Sequence, residues 1–183
     1  MTLIYGILRF SNFAHGDTMA FGTAITLASY TDRPELGEMV PLLAQQLEAA
    51  GFKVTQDVRE YNQIESEALA GKFHAVLVSR STVLDSGDAV AYMTADFSSS
   101  GSYSMSGLHD EKIDAAISKA AATQPGDERH KAIMAAEQAI LASGAAIPLA
   151  HERVIQGEAA GVTGAQRDPG ERALITSATT VKK

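Results

Sequence analysis

Residues 73–78 read Phe-His-Ala-Val-Leu-Val, an apolar run broken only by one His. A strand with apolar side chains on both faces has no side to offer to water, so it belongs inside a sheet that helices cover on both faces. The chain before it alternates between two periods. Residues 25–30 alternate apolar and small side chains, the pattern of a strand. Leu36, Met39, Val40, Leu43 and Leu47 then recur at helical spacing, and Gly51 is placed to stop that helix. Asp32 and Pro34 open it, with Asp32 the expected N-cap. Pro41 is an anomaly that either kinks the helix or begins its main part. Phe52, Val54 and Val58 mark a second strand, and residues 64–70 form a short helix ending at Gly71. The order strand, helix, strand, helix, apolar strand predicts an α/β fold.

The second half reads mostly as helix. Residues 98–106 are a Ser/Gly-rich loop. Two helices are predicted over 110–122 and 126–142, separated by Gln124, Pro125 and Gly126. Ile113, Ala116, Ile117 and Ala120 share the inward face of the first; Ile133, Ala136, Ile140 and Leu141 share that of the second. Gly144 ends the second helix and residues 146–149 form another strand. Residues 154–162 read as an edge strand or loop, and residues 165–183 as a frayed tail.

Composition removes several classes of function. The net charge of −7 is spread along the chain, which argues against the basic face that a nucleic-acid partner requires. Without Cys there are no disulfides, thiolate metal sites or Cys nucleophiles. The five His residues do not cluster, and their spacing matches no zinc pattern, so no metal site or cofactor is expected. His74, inside the apolar strand, reads as a satisfied or edge-facing side chain. Neither a Gly-x-Ser-x-Gly elbow nor a Gly-rich phosphate loop occurs. The acid pairs Glu35 and Glu38, and Glu65 and Glu67, read as solvated helix faces. Residues 3–8 are apolar, but Arg9, Asn12, His15 and Asp17 follow at once, so residues 1–22 read neither as a secretory signal nor as a spanning helix.

The loop after the apolar strand, Arg80-Ser-Thr-Val-Leu-Asp-Ser-Gly-Asp, holds the best binding candidates: Arg80, Asp85, Ser86 and Asp88. Ligands of open α/β sheets gather at the carboxyl ends of strands. A carboxylate there holds an ammonium group by charge-assisted hydrogen bonds. Asp88 fits equally as the N-cap of a helix starting at Ala89. Arg80 fits either a bidentate pair with a ligand carboxylate or a structural pair with Asp85.

Several of these segments carry a family likeness in order: Ile25-Thr-Leu-Ala-Ser-Tyr-Thr-Asp-Arg-Pro, Leu42-Leu-Ala-Gln-Gln-Leu-Glu-Ala-Ala-Gly-Phe-Lys-Val, Gly71-Lys-Phe-His-Ala-Val-Leu-Val, Asp85-Ser-Gly-Asp, Asp127-Glu-Arg and Ala146-Ile-Pro-Leu. This order resembles the C-terminal lobe of the family 5 extracellular solute-binding proteins, the peptide, nickel and opine receptors of ABC importers. The resemblance implies a periplasmic-binding-protein-like single lobe over residues 23–164, with a mostly parallel or mixed sheet flanked by helices. It implies a non-catalytic protein, periplasmic or extracellular, that binds a peptide or similar small solute and works with ABC permease subunits. It also implies that the N-terminal lobe is missing, that the return crossing stops in the tail at 165–183, and that the exposed cleft face can form a homodimer. Asp85 would anchor the ligand's amino terminus. The loop departs from the family pattern at Ser81-Thr-Val-Leu and at Ala89, where a Pro is usual, so the ligand class stays open. Arg129 in Asp127-Glu-Arg is expected to brace a neighbouring acid. The other readings are an orphan fragment that folds without binding and a small α/β enzyme.

The first 22 residues carry a different likeness. Asn12-Phe-Ala-His-Gly, within the stretch from Thr2 to Gly22, resembles a segment near the start of branched-chain amino-acid ABC permeases. On that reading residues 1–22 are foreign to the rest. Their apolar side chains either dock on the lobe or promote aggregation.

Overall fold

The apolar run lies at the centre of a sheet. In this computed structural model, which describes residues 2–8, 22–81, 87–151, 155–166 and 173–182, β4 (Ala75–Ser81) has strands on both sides. Ala75, Val76, Leu77 and Val78 are all buried, as a strand covered on both faces requires. The sheet has five strands in the order β3-β2-β4-β1-β5. On one side, β2 (Ala24–Tyr30) pairs parallel with both β4 and β3 (Lys53–Arg59). On the other, β1 (Thr2–Leu8) runs antiparallel to both β4 and β5 (Ile147–His151). The sheet is therefore mixed. Residues 2–8, read above as foreign, form a strand within it.

Helix α1 (Pro34–Ala49) connects β2 to β3 and buries Leu36, Val40 and Ala44, with Met39 and Leu43 partly buried beside them. It runs through Pro41, so this Pro neither ends nor begins it. The expected cap is corrected. The N-cap position falls on Arg33, which makes no side-chain cap bond. Asp32 instead accepts the N–H of Tyr61, the first residue of α2 (Tyr61–Leu69), at 3.3 Å. Gly51 and Gly71 follow the two helices with φ of 99° and 70°, conformations that a Cβ disfavours.

Helix α3 (Ala89–Phe97) follows β4, and α4 (Glu111–Ala122) and α5 (Asp127–Ala142) follow as an antiparallel pair. Asp110 caps α4 by accepting the N–H groups of Lys112 and Ile113 at 2.8 and 3.3 Å. Ile113, Ile117 and Ala120 share one buried core with Ala132, Ala136 and Ile140. Leu141 does not face inward as its spacing suggested and is exposed, because the buried stripe of α5 runs through 132, 136 and 140. The tail is not simply frayed. β7 (Thr180–Val181) pairs antiparallel with β6 (Val162–Thr163) in a small second sheet. Among the described residues, no helix is long and apolar enough to cross a membrane.

Candidate ligand-binding site

The backbone ladder between β2 and β4 covers only Leu27 with Ala75 and Ala28 with Val76. Beyond that point side chains join the strands. Ser29 Oγ donates to the Leu77 carbonyl at 3.0 Å. The Tyr30 hydroxyl donates to the Ser79 carbonyl and accepts the Ser79 N–H, both at 3.0 Å. The strands thus separate at their carboxyl ends, where an open cavity of about 300 Å³ lies. This is the position at which α/β sheets take ligands.

One wall of the cavity is aromatic. Tyr61 packs edge-on against Tyr30, with ring centroids 5.0 Å apart at 76°. Tyr103, from the loop before α4, lines the same cavity. Burial pushes the Tyr103 hydroxyl up to about 12, and burial also raises that of Tyr30 against the opposing effect of its Ser79 bond. Both phenols are therefore neutral at physiological pH.

The floor holds an ion pair whose carboxylate is buried and whose guanidinium is partly exposed. Arg80 donates from Nε to Asp96 Oδ2 at 3.0 Å and from Nη2 to Asp96 Oδ1 at 2.8 Å. Asp96 is only 3% exposed. The Arg80 guanidinium also lies 4.4 Å from the Tyr103 ring centroid and 5.8 Å from that of Tyr92. These contacts hold the fork in one orientation. At the rim stand Asp32, exposed, and Arg33, partly buried, which makes no ion pair among the described residues.

The four sequence-derived candidates separate. Arg80 lines the cavity, and its grip on Asp96 is a pairing that the sequence reading did not name. Asp88 is the N-cap of α3, accepting the Val90 N–H at Oδ1 at 3.0 Å. Its Oδ2 accepts Arg129 Nη2 at 2.7 Å, and Arg129 Nε donates to the Ala120 carbonyl at 3.2 Å. Arg129 thus braces an acid as expected and ties α3 to α4 and α5. The Arg129 bond, then the Val90 N–H, hold the Asp88 carboxyl below its ordinary value. Asp85 and Ser86 lie outside the described residues.

The sequence reading missed Asp96 and the three tyrosines. Asp96 carried a signal, since it lies three residues after Met93 and six after Val90, on the apolar face of α3. An acid on a buried face needs a partner. His74 is satisfied, because its Nδ1 accepts the Thr26 N–H at 3.0 Å and its own N–H donates to the Thr26 carbonyl at 3.2 Å. Glu65 and Glu67 are not simply solvated. Tyr61 donates to Glu65 at 3.0 Å, and Arg59 bridges Glu67 and Asp57 at 2.9 and 2.7 Å. Among the described residues no group of three His, Cys, Asp or Glu is placed to hold a metal ion.

No family model matches the sequence, and no curated protein matches it. Solved structures match the fold. NikA from Staphylococcus aureus, in complex with Ni(L-His)2, superposes with a TM-score of 0.63 at 19% identity, over 91% of this chain and 36% of that one. OppA from Haemophilus influenzae, in complex with RPPGFSPFR, gives 0.62 at 17% identity, over 73% and 26%. The ABC transporter substrate-binding protein CtaP from Listeria monocytogenes gives 0.60 at 19% identity, over 69% and 26%. The fold is periplasmic-binding-protein-like. Its structural neighbours are substrate-binding proteins of ABC transporters, and the chain spans about a quarter to just over a third of their length. The permease-like reading of residues 1–22 finds no support in these comparisons.

Proposed function

We propose that this chain is a solute-binding lobe of an ABC importer's receptor, without catalysis, and that its solute is a peptide or a similar small molecule. The observation that carries the reading is the cavity at the carboxyl ends of β2 and β4, in a fold shared with such receptors. A cavity this open encloses only one side of a ligand. Most affinity in a cleft comes from burial on both sides, so a second lobe supplies the opposite wall and closes by hinge motion. Permease subunits then receive the solute, in a periplasmic or extracellular setting. The face that meets the second lobe also offers a route to a homodimer.

Asp85 is the proposed anchor for the ligand's amino group, with Ser86 beside it. The residues flanking this loop are firmly held, Arg80 by Asp96 and Asp88 by α3 and Arg129. Arg80 and the tyrosines form the wall against which the ligand lies, and Asp88 keeps its loop in register rather than touching the ligand.

Thermal unfolding with a di- and tripeptide library, on the parent and on Asp85→Ala, tests this reading. A lone lobe binds weakly, so the ligands are used at millimolar concentration. A peptide present at ten times its dissociation constant raises stability by about 1.4 kcal/mol. The expected result is a rise in the transition with some peptides that disappears in Asp85→Ala. A cooperative transition that no peptide moves overturns the proposal, and an equal rise in both proteins removes Asp85 from it.

A further inference from the structure

Strands β4 and β5 do not pair with each other; β1 stands between them. Because β1 is antiparallel to both, β4 and β5 run parallel to one another and present two facing edges. All seven residues of β1 pair with β4, from Thr2 with Ser81 to Leu8 with Ala75. Four pair with β5, with a register shift between Ile4 and Tyr5 where Leu149 is passed over. Tyr5 there faces Pro148, which has no N–H to give, as suits an outer strand. β5 therefore joins the sheet only through β1.

β2 pairs with both β3 and β4 without β1. β2, β3 and β4 are linked by α1 and α2, and β5 is delivered by α5. β1 precedes this succession and supplies no connection within it. Its sequence, Thr-Leu-Ile-Tyr-Gly-Ile-Leu, has no charge and no Pro and is rich in strand-favouring side chains. We infer that the gap between β4 and β5 is a strand-binding site, occupied here by Thr2–Leu8, whose ligand class is an extended, uncharged, Pro-free segment antiparallel to β4. The main-chain edges of β4 and β5 supply the binding, the mode by which sheets capture peptides. This inference is independent of the solute-binding reading.

The test uses the full chain carrying Gly6→Pro. Gly6 lies opposite Leu77 on one side and Ile147 on the other. Pro removes a ladder donor from a strand flanked on both sides and is expected to lower the thermal midpoint by roughly 6–12 °C. A synthetic peptide of the Thr2–Leu8 sequence with a Lys-Lys tail is then added in excess. The expected result is recovery of the midpoint with this peptide and none with its Gly6→Pro counterpart. An unchanged midpoint in the variant overturns the inference, and so does a lowered midpoint that the peptide does not raise. If the variant fails to fold, the peptide is added during refolding. Recovery of folded protein supports the site, and its absence overturns it.

Discussion

Asp96→Asn is the perturbation that most directly tests how the cavity floor is held. The side chain keeps its shape and loses its charge. The parent carboxylate, 3% exposed, accepts two N–H groups from Arg80 at 3.0 and 2.8 Å. In the amide one acceptor becomes an NH2 that confronts an N–H donor, so one charge-assisted bond is lost and two donors oppose each other. Breaking one partner of a buried pair costs about 3–5 kcal/mol, and a hydrogen bond to a charged group contributes about 1.5–3 kcal/mol. Arg80 is 34% exposed, so water takes up part of the released guanidinium. The expected loss is therefore at the lower end, about 2–3 kcal/mol. At about 2–4 °C per kcal/mol for a chain of this size, the thermal midpoint falls by roughly 4–12 °C. Urea unfolding followed by circular dichroism measures the loss, and a cycle with Arg80→Met measures the coupling, expected to be about 1 kcal/mol or more. A loss under about 0.5 kcal/mol, or strict additivity with Arg80→Met, refutes the claim that the pair holds the floor.

Two further outcomes are expected. Gly101→Ala places a Cβ against the carbonyl oxygens of Ala95 and Thr94, backbone atoms that cannot swing aside, so urea unfolding should show a loss of about 2 kcal/mol or more. The Asp88 carboxyl titrates below its ordinary value in the folded state, chiefly because Arg129 bonds it. A depressed carboxyl stabilises the fold above its unfolded value near 3.9, and that contribution disappears as pH falls through the folded value. The stability gap between the parent and Arg129→Met should therefore be widest near neutral pH and narrow below about pH 4 in urea titrations. A gap that does not narrow would show that Arg129 acts only through packing and its Ala120 bond.

The sequence by itself determined the local elements. The helices followed from 3.6-residue spacing, as in Leu36, Val40 and Leu43 on α1 or Ile113, Ile117 and Ala120 on α4. Two of their ends followed from the left-handed glycines Gly51 and Gly71. The burial of β4 followed from its lack of a polar face. Asp88 as the α3 cap was also legible, because a cap is set by residues two or three apart, while the bracing role of Arg129 came from the family likeness of Asp127-Glu-Arg. What the sequence could not supply was partnership across distance. Asp32 sits before one helix yet binds the start of another 29 residues on, because β2 and β3 are neighbours in the sheet. Arg80 meets Asp96 only because α3 folds back so that its buried face comes beside the end of β4. Tyr30 reaches Ser79 across 49 residues because β2 and β4 are adjacent and separate at that level. The first strand likewise reads as foreign to the rest until its pairing with β4 and β5 is seen. Periodicity and capping are written within a few residues of chain, whereas the cavity wall and the place of β1 between β4 and β5 depend on the strand order, which only the tertiary structure decides.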